Sequence, residues 1–342
     1  MANPSPDPAA TAPLGPPPPL GPPPPFDPEL IAPLAAIGEI LRPGGSGADP
    51  EAGDGQGVPG MGTLTNEDLE RDGAFLVEER SVPGPADAPE VSLLICRLAD
   101  AATPTPALYH IHGGGMTVGH NRLGMPELLD LAQELRLSVV SVEYRLAPGT
   151  RHPGPVEDCY AGLRWTAEHA EELGIDPGRI VVVGGSAGGG LGAAVTLLAR
   201  DRGGPALIGQ LLMCPMLDDR NDTPSARQMI GIGVWDRAAN EAGWTALLGD
   251  ARGGEDVSPY AAPARATDLS GLPPAFIDVG SAETFRDEDV DYASRIWRAG
   301  GSAELHVWSG AFHGFDGMAP EAAVSRDARE ARRRWLRRLL AH

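Results

Sequence analysis

The stretch that most constrains the fold is IVVVGGSAGGGLGAA, residues 180–194, in which a β-branched apolar run meets a cluster of small residues. A run of this kind predicts a buried strand, and the small residues after it predict a tight turn into a helix. Glycine and alanine let the strand and the helix approach closely because no large side chain separates them. The stretch therefore predicts a strand–turn–helix unit with Ser186 at the turn.

Strand and helix patterns alternate along most of the chain. Strands are predicted over Phe75–Arg80, Val91–Arg97, Leu108–His112, Ser138–Tyr144, Ile180–Gly184, Ile208–Met213, Ala275–Val279 and Glu304–Trp308. Helices are predicted over Met125–Arg136, Val156–Leu173, Ala187–Arg202, Arg237–Leu248, Glu288–Ala299 and Ala323–Leu340. Helix-length connections predict right-handed crossovers and a mostly parallel sheet covered by helices on both faces. The short turn PGPADAPE predicts an antiparallel edge formed by the first two strands.

The amino-terminal part of the chain has a different composition. Residues 1–28 contain GPPPPLGPPPPFDP, and such a proline-rich segment predicts a disordered tail. Apolar residues recur at helical spacing from Glu29 to Leu41, and a glycine-rich linker follows to residue 62. The predicted organisation is therefore a tail over 1–28, a helix and linker over 29–62, and one α/β domain over 63–342.

Composition excludes several classes of function. The chain contains no lysine, so it has no P-loop lysine, pyridoxal Schiff-base lysine or serine–lysine pair. The net charge of −20 disfavours nucleic acid and anionic lipid as partners. Three cysteines without a CxxC motif, and a first segment without a basic or apolar leader, predict a cytoplasmic protein. His110 and His112 have no third ligand at a recognisable spacing, so neither metal nor cofactor is expected.

Two glycine patterns compete at residues 184–195. The dinucleotide fingerprint needs glycines at positions i, i+2 and i+5, and its third glycine would fall on Ala193 or Val195. The G-x-S-x-G pattern instead fits Gly184, Ser186 and Gly188. In this pattern a strained turn projects the serine hydroxyl above the sheet, and the following helix directs N–H groups at the reacting carbonyl. Ser186 is therefore a candidate nucleophile.

A second glycine-rich loop strengthens this interpretation. His112-Gly113-Gly114-Gly115 directly follows a predicted strand, about 70 residues before the serine. Such a loop can turn glycine N–H groups toward a neighbouring catalytic turn, because no Cβ blocks the approach of its backbone. The order of the two motifs is that of an α/β-hydrolase.

A serine nucleophile needs a base and an acid. His313 lies in the loop SGAFHGFDG, after the last predicted strand and before the last helix, where the base belongs in the order Ser, acid, His. The acid should follow the strand AFIDVG, where Glu283 comes first and Asp287 second. The residues favour Glu283 and leave Asp287 open, with helix N-capping as its other role.

Taken together, these segments resemble the hormone-sensitive-lipase-like branch of the α/β-hydrolases, the bacterial carboxylesterases of esterase family IV. The resemblance covers residues 91 to 342 and rests on HGGG, EYRLAPGTRHPGPVEDCYAGLRW, GGSAGG, SPYAAPARATDLSGLPPAFIDVGSAETFRDEDVDYASR and HGF. It implies an α/β-hydrolase fold with an amino-terminal helical cap, and a triad of Ser186, an acid and His313. A subgroup with GSAE is similar to this chain and uses glutamate, which favours Glu283.

The resemblance also implies oxyanion donors from the backbone N–H groups of Gly114, Gly115 and Ala187. One departure from the family is Gly185, which stands where G-D-S-A-G proteins carry aspartate.

The implied activity is hydrolysis of short- to medium-chain acyl esters, with a small ester as partner and a homodimer as a further expectation. Two alternatives remain open. One is an amidase, deacetylase or lactonase, and the other is a pseudo-hydrolase that only binds a small molecule. Residues 229–235, MIGIGVW, are expected to line the pocket.

Overall fold

Eight strands form one sheet in the computed structural model, which describes residues 19–41 and 64–341. The strands are β1 Phe75–Val82, β2 Val91–Leu98, β3 Thr105–Ile111, β4 Ser138–Glu143, β5 Ile175–Gly185, β6 Gly209–Met213, β7 Ala275–Gly280 and β8 Ala303–Trp308. The predicted linker and the first 18 residues of the predicted tail lie outside the described residues.

The strand order is β1-β2-β4-β3-β5-β6-β7-β8. β1 and β2 pair antiparallel, β2 pairs antiparallel with β4, and every further pair in the sheet is parallel. The prediction of a mostly parallel sheet with an antiparallel edge is therefore confirmed. The carboxyl ends of the parallel strands share one edge of the sheet, where ligands bind in open α/β sheets.

Helices connect the strands and cover the sheet. They are α1 Pro28–Leu41, α2 Asn66–Glu70, α3 Met125–Leu135, α4 Gly154–Glu168, α5 Ala170–Leu173, α6 Ala187–Arg202, α7 Pro224–Gln228, α8 Arg237–Leu248, α9 Arg286–Arg298, α10 Phe315–Met318 and α11 Ala323–Leu340. The single helix predicted over Val156–Leu173 is wrong, because α4 ends at Glu168 and α5 follows separately. The short helices α2, α7 and α10 were not predicted from the sequence.

The two faces of the sheet bury different helices. In β5, Val181 and Val183 pack with α3 and α11, whereas Val182 packs with α4 and α6 on the opposite face. This division follows from the alternation of side chains along a strand. β5 is apolar on both faces because helices cover both, which explains the unbroken run Ile180–Val183 in the sequence.

The amino-terminal segment is attached to the body beside the carboxyl edge of the sheet. The N–H of Asp27 donates to the Gly310 carbonyl at 3.0 Å, and Phe26 meets Phe312 edge-to-face at 6.5 Å. Leu30 and Ile37 of α1 are buried in an apolar cluster formed mainly by residues 311–328. α1 therefore rests on the loop that carries His313.

Across the two described ranges, no helix has both the length and the apolar character needed to cross a membrane.

Candidate active site

Ser186 stands between the end of β5 and the start of α6 in a strained backbone conformation. Its φ of 57° and ψ of −123° lie in a region that residues with a side chain rarely occupy. Three backbone hydrogen bonds hold it there: its N–H donates to the Met213 carbonyl, and its carbonyl accepts from Gly190 and Met216. A Cβ on Gly188 would overlap the Ile111 carbonyl oxygen, and one on Gly184 would overlap the backbone of Gly188. The two motif glycines thus permit the close packing of the turn.

Three side chains predicted from separate parts of the sequence meet at this turn. His313 Nε2 lies 2.9 Å from Ser186 Oγ, and His313 Nδ1 lies 2.8 Å from Glu283 Oε1. Glu283 is 2% exposed, and its other oxygen accepts the N–H of Gly280 at 3.3 Å. The acid is therefore fixed on one side by β7 and bonded on the other to the imidazole. This geometry fits a hydroxyl that donates to Nε2 while the Nδ1 proton faces the carboxylate.

Asp287, the alternative acid, lies elsewhere. Its carboxylate accepts the backbone N–H of Ser225 at 2.7 Å and binds the Arg286 guanidinium at 2.7 Å. It occupies the first turn of α9, and Phe285 rather than Asp287 is the residue before the helix, so the suggested N-cap role is wrong. A carboxylate in the first turn still interacts favourably with the positive end of the helix. The described contacts of Asp287 thus tie it to α7 and not to His313.

The glycine loop runs beside the serine turn. A Cβ on Gly113 would lie 3.0 Å from the Gly185 carbonyl oxygen and 3.6 Å from Ser186 Cβ, so the two loops are nearly in contact. Gly114 and Gly115 both have positive φ, at 110° and 60°. Positive φ turns successive N–H groups toward one side of the loop, which is how such concave anion sites form. Ala187 is the first residue of α6, so its N–H is one of the unpaired donors of that helix.

His112 supports this loop from behind. Its ring stacks on Tyr144 at 4.1 Å between centroids, and its Nδ1 lies 2.8 Å from the Gly113 carbonyl oxygen. The Tyr144 hydroxyl donates to the His112 carbonyl at 2.9 Å. Burial lowers the pKa of His112 to about 4, so its imidazole is neutral at pH 7. His112 therefore packs and orients the loop and takes no part in the triad contacts.

Two aromatic side chains pack around the His313 ring, and neither was singled out individually as a site residue from the sequence. Trp235 and Phe285 face the His313 ring, with centroids 6.3 Å and 5.2 Å away. Trp235 belongs to the 229–235 segment that was expected to line the pocket, and a Cβ on Gly115 would overlap its ring. Aromatic residues this far apart in sequence carry no spacing pattern, so only the fold brings them together.

Cys214 lies beside the acid and the base. Its sulfur, a Glu283 oxygen and a His313 nitrogen lie within 4.8 Å of one another, the only such metal-ligand cluster among the described residues. Burial raises the pKa of the Cys214 thiol well above its usual range, and nearby carboxylates raise it further. A thiol must lose its proton to bind a metal, and Glu283 and His313 already bond each other. The donor set therefore does not suit a resident metal.

A buried ion-pair network lies behind the His313 loop. Arg332 of α11 is 3% exposed and binds Asp278 of β7 and Asp316 of α10, with Glu127 of α3 at 3.3 Å. Burial alone would lower the pKa of Arg332, but the three carboxylates raise it well above its usual value. Arg332 thus connects β7, which precedes Glu283, to the helix that follows His313.

Comparison with known proteins agrees with this fold. A family model described as the alpha/beta hydrolase fold matches residues 108–317, more than half of the chain. The chain therefore belongs to this family, and within it to the hormone-sensitive-lipase-like group. The α/β-hydrolase fold class predicted from the sequence is confirmed.

The similar proteins include several esterases. Carboxylesterase NlhH of Mycobacterium tuberculosis is 39% identical over 220 residues, which cover 63% of this chain and 67% of that protein. The structure of a bacterial heroin esterase matches with a TM-score of 0.83 at 40% identity, covering 92% of this chain and 98% of the other. Esterase LipW of Mycobacterium marinum matches with a TM-score of 0.73 at 35% identity, over 80% of this chain and 85% of its own.

Proposed function

We propose that this protein is a serine carboxylesterase that hydrolyses short- to medium-chain acyl esters through an acyl-enzyme, with Ser186, Glu283 and His313 as its catalytic triad. The observation that carries the proposal is the continuous chain of contacts from Glu283 to His313 to Ser186, at 2.8 Å and 2.9 Å. Its relatives NlhH and the heroin esterase are named as esterases, which supports an ester as the substrate.

In the first half of the reaction His313 removes the Ser186 proton as Oγ attacks the acyl carbon. The backbone N–H groups of Gly114, Gly115 and Ala187 stabilise the tetrahedral oxyanion, each at about 3 kcal/mol. His313 then gives its proton to the leaving alcohol, and the bond between the acyl carbon and the alkoxy oxygen breaks. In the second half water adds to the acyl-enzyme with His313 as base, and the carboxylic acid leaves Ser186.

The direct test replaces Ser186 by alanine and measures hydrolysis of p-nitrophenyl acetate. We expect turnover to fall by at least 10³-fold, because the nucleophile is lost while binding remains. Asp287→Asn is the control, since its described contacts are with Ser225 of α7 and the adjacent Arg286, and it should retain turnover within about threefold. Retained hydrolysis in Ser186→Ala would overturn the proposal.

The alternatives are separated by two further measurements. An amidase, deacetylase or lactonase would use the same three residues, because the pocket and not the triad selects the substrate. Rates on matched ethyl esters, amides and lactones distinguish these activities. A pseudo-hydrolase would bind a small molecule without reacting, so covalent labelling of Ser186 by a fluorophosphonate argues against it.

The proposal also includes the oligomeric state of the protein and its location in the cell. A homodimer is tested by light scattering of the purified protein over a range of concentrations. A cytoplasmic location agrees with Cys96, Cys159 and Cys214 being free thiols, and fractionation of the source cells tests it.

A further inference from the structure

A cavity of about 240 Å³ opens beside the nucleophile on the face of the sheet covered by α3 and α11. Ser186 and His313 border it. Most of its wall is apolar, and the apolar side chains come from α3, β5, β6 and the loop before α3: Leu123, Leu128, Leu131, Val183, Leu211 and Met213. This volume is several times the volume that one water molecule occupies in the liquid, about 30 Å³. The cavity therefore has room for a chain of several carbon atoms.

Gly185 lies at the end of β5, directly before Ser186 in the chain. It borders the cavity together with Val183 and Met213. The atoms nearest to a Cβ at this position would be those of Met213, at 3.7 Å or more, which is ordinary contact. Neither sterics nor a positive φ therefore requires glycine here, in contrast to Gly184 and Gly188. The missing side chain leaves open a space that a larger residue would occupy.

Polar side chains also border the cavity, among them His110 of β3, Glu127 of α3 and Arg332 of α11. His110 is 4% exposed, and its Nδ1 lies 2.8 Å from Ser141 Oγ. Its Nε2 makes no hydrogen bond to any described residue and faces Gly124, which also lines the cavity. The Glu127 carboxylate, held by Arg332, lies at the same cavity. A purely hydrocarbon ligand would cover these polar atoms without replacing their contact with water, which is unfavourable.

From these contacts we infer that Gly185 opens an acyl-binding pocket for chains of several carbons that carry a hydroxyl or similar neutral hydrogen-bonding group at the far end. The inference rests on the proposed ester hydrolysis, because the acyl chain starts from the carbon bonded to Ser186 Oγ. Burial lowers the pKa of His110 to about 3, so its ring is neutral at pH 7 and suits an uncharged partner. Burial also raises the pKa of Glu127, which further favours a neutral ligand group.

The first experiment measures kcat/KM for ethyl acetate, ethyl hexanoate and ethyl 6-hydroxyhexanoate by titrating the acid released. We expect the wild-type protein to prefer hexanoate to acetate, and 6-hydroxyhexanoate to hexanoate by at least fivefold. Gly185→Val should lower the hexanoate-to-acetate ratio at least tenfold, because its side chain occupies the entrance. An unchanged ratio would overturn the role of Gly185.

A second pair of variants covers the case in which Gly185→Val fails to fold. Leu131→Ala enlarges the cavity and should raise the ratio of octanoate to acetate at least threefold. Leu129→Ala is its matched control, since Leu129 is buried on the same helix but does not border the cavity. Equal changes in both variants would contradict the inference.

A third pair tests the polar group. His110→Phe keeps a ring of similar size but removes Nε2, and it should abolish the preference for 6-hydroxyhexanoate. Ser141→Ala removes only the hydrogen-bond partner of Nδ1 and should keep that preference. If both variants lose the preference for 6-hydroxyhexanoate to the same extent, Nε2 is excluded as the binding atom.

The failures of the two proposals are distinguishable. If no ester is hydrolysed and Ser186 is not labelled by a fluorophosphonate, the proposed function fails. If ethyl acetate is hydrolysed but Gly185→Val changes selectivity for the alcohol and not for the acyl chain, only the acyl assignment is wrong.

Discussion

Glu283 is buried and makes two hydrogen bonds, one with the His313 imidazole and one with the N–H of Gly280. We therefore expect Glu283→Gln to lower kcat/KM for p-nitrophenyl acetate by about 10³-fold, because an amide cannot stabilise the imidazolium formed on His313. Asp287→Asn serves as the comparison at the alternative position. Comparable losses in the two variants would show that the acid is shared or wrongly assigned.

The histidines at 110 and 112 make stability depend on pH. Burial lowers their pKa values to about 3 and about 4, whereas an unfolded chain has histidine pKa values near 6.5. The unfolded state thus binds more protons between pH 6.5 and pH 4, and stability falls as the pH falls through that range.

We expect each of these two histidines to lower the unfolding free energy by about 2 kcal/mol when the pH falls from 7 to 5. His112→Phe retains an aromatic ring against Tyr144 and should remove one such contribution. Urea titrations at pH 7, 6 and 5 measure the slope. If the variant and the wild-type protein lose stability in parallel, another group is responsible.

Single site residues could be predicted from the sequence where a motif determines the local backbone conformation. G-x-S-x-G and HGGG identify positions by their local geometry, so Ser186 and the glycine loop could be found without coordinates. Glu283 could only be ranked above Asp287, because both follow the same strand and only the packing of α7 separates them. Trp235, Phe285 and Cys214 had no such signal, since their place beside His313 depends on tertiary packing alone.

Among the elements, α1 packs on the loop that carries His313. Leu30 is fully buried against the His313 loop, whereas its neighbour Ile31 is 55% exposed. Leu30→Ala should weaken the docking of α1 by about 2–5 kcal/mol and increase proteolytic cleavage within residues 19–41 at least tenfold. Ile31→Ala is the matched control and should leave the cleavage rate unchanged. Equal rates in the two variants would show that Leu30 does not attach the helix.

Helices and strands could be told apart in the sequence because the spacing of apolar residues reflects which faces of each element are buried. The unbroken apolar run of β5 and the amphipathic pattern of α11 both follow from burial in the sheet. The end of α4 at Glu168 and the short helices α7 and α10 were not predicted. α7 and α10 are five and four residues long, too short to show a periodicity of their own, and they pack against α9 and α11.

Across the whole molecule, Arg332 connects the sheet, α3 and the loop after His313 through three carboxylates. Arg332→Met leaves Asp278 and Asp316 buried without their cation, and it should lower the unfolding free energy by about 3–5 kcal/mol. Arg334→Met, whose side chain is 66% exposed, should change it by less than about 1 kcal/mol. Chemical denaturation of both variants makes the comparison, and similar losses would contradict a structural role for the buried network.

The conformation of Ser186 has a consequence for protein engineering. A φ of 57° with a ψ of −123° costs free energy for any residue with a Cβ and much less for glycine. A screen that selects only for heat resistance would therefore favour Ser186→Gly, a protein that survives higher temperature and has lost its nucleophile. Thermostable libraries of this chain should accordingly keep residue 186 fixed and seek their gains elsewhere.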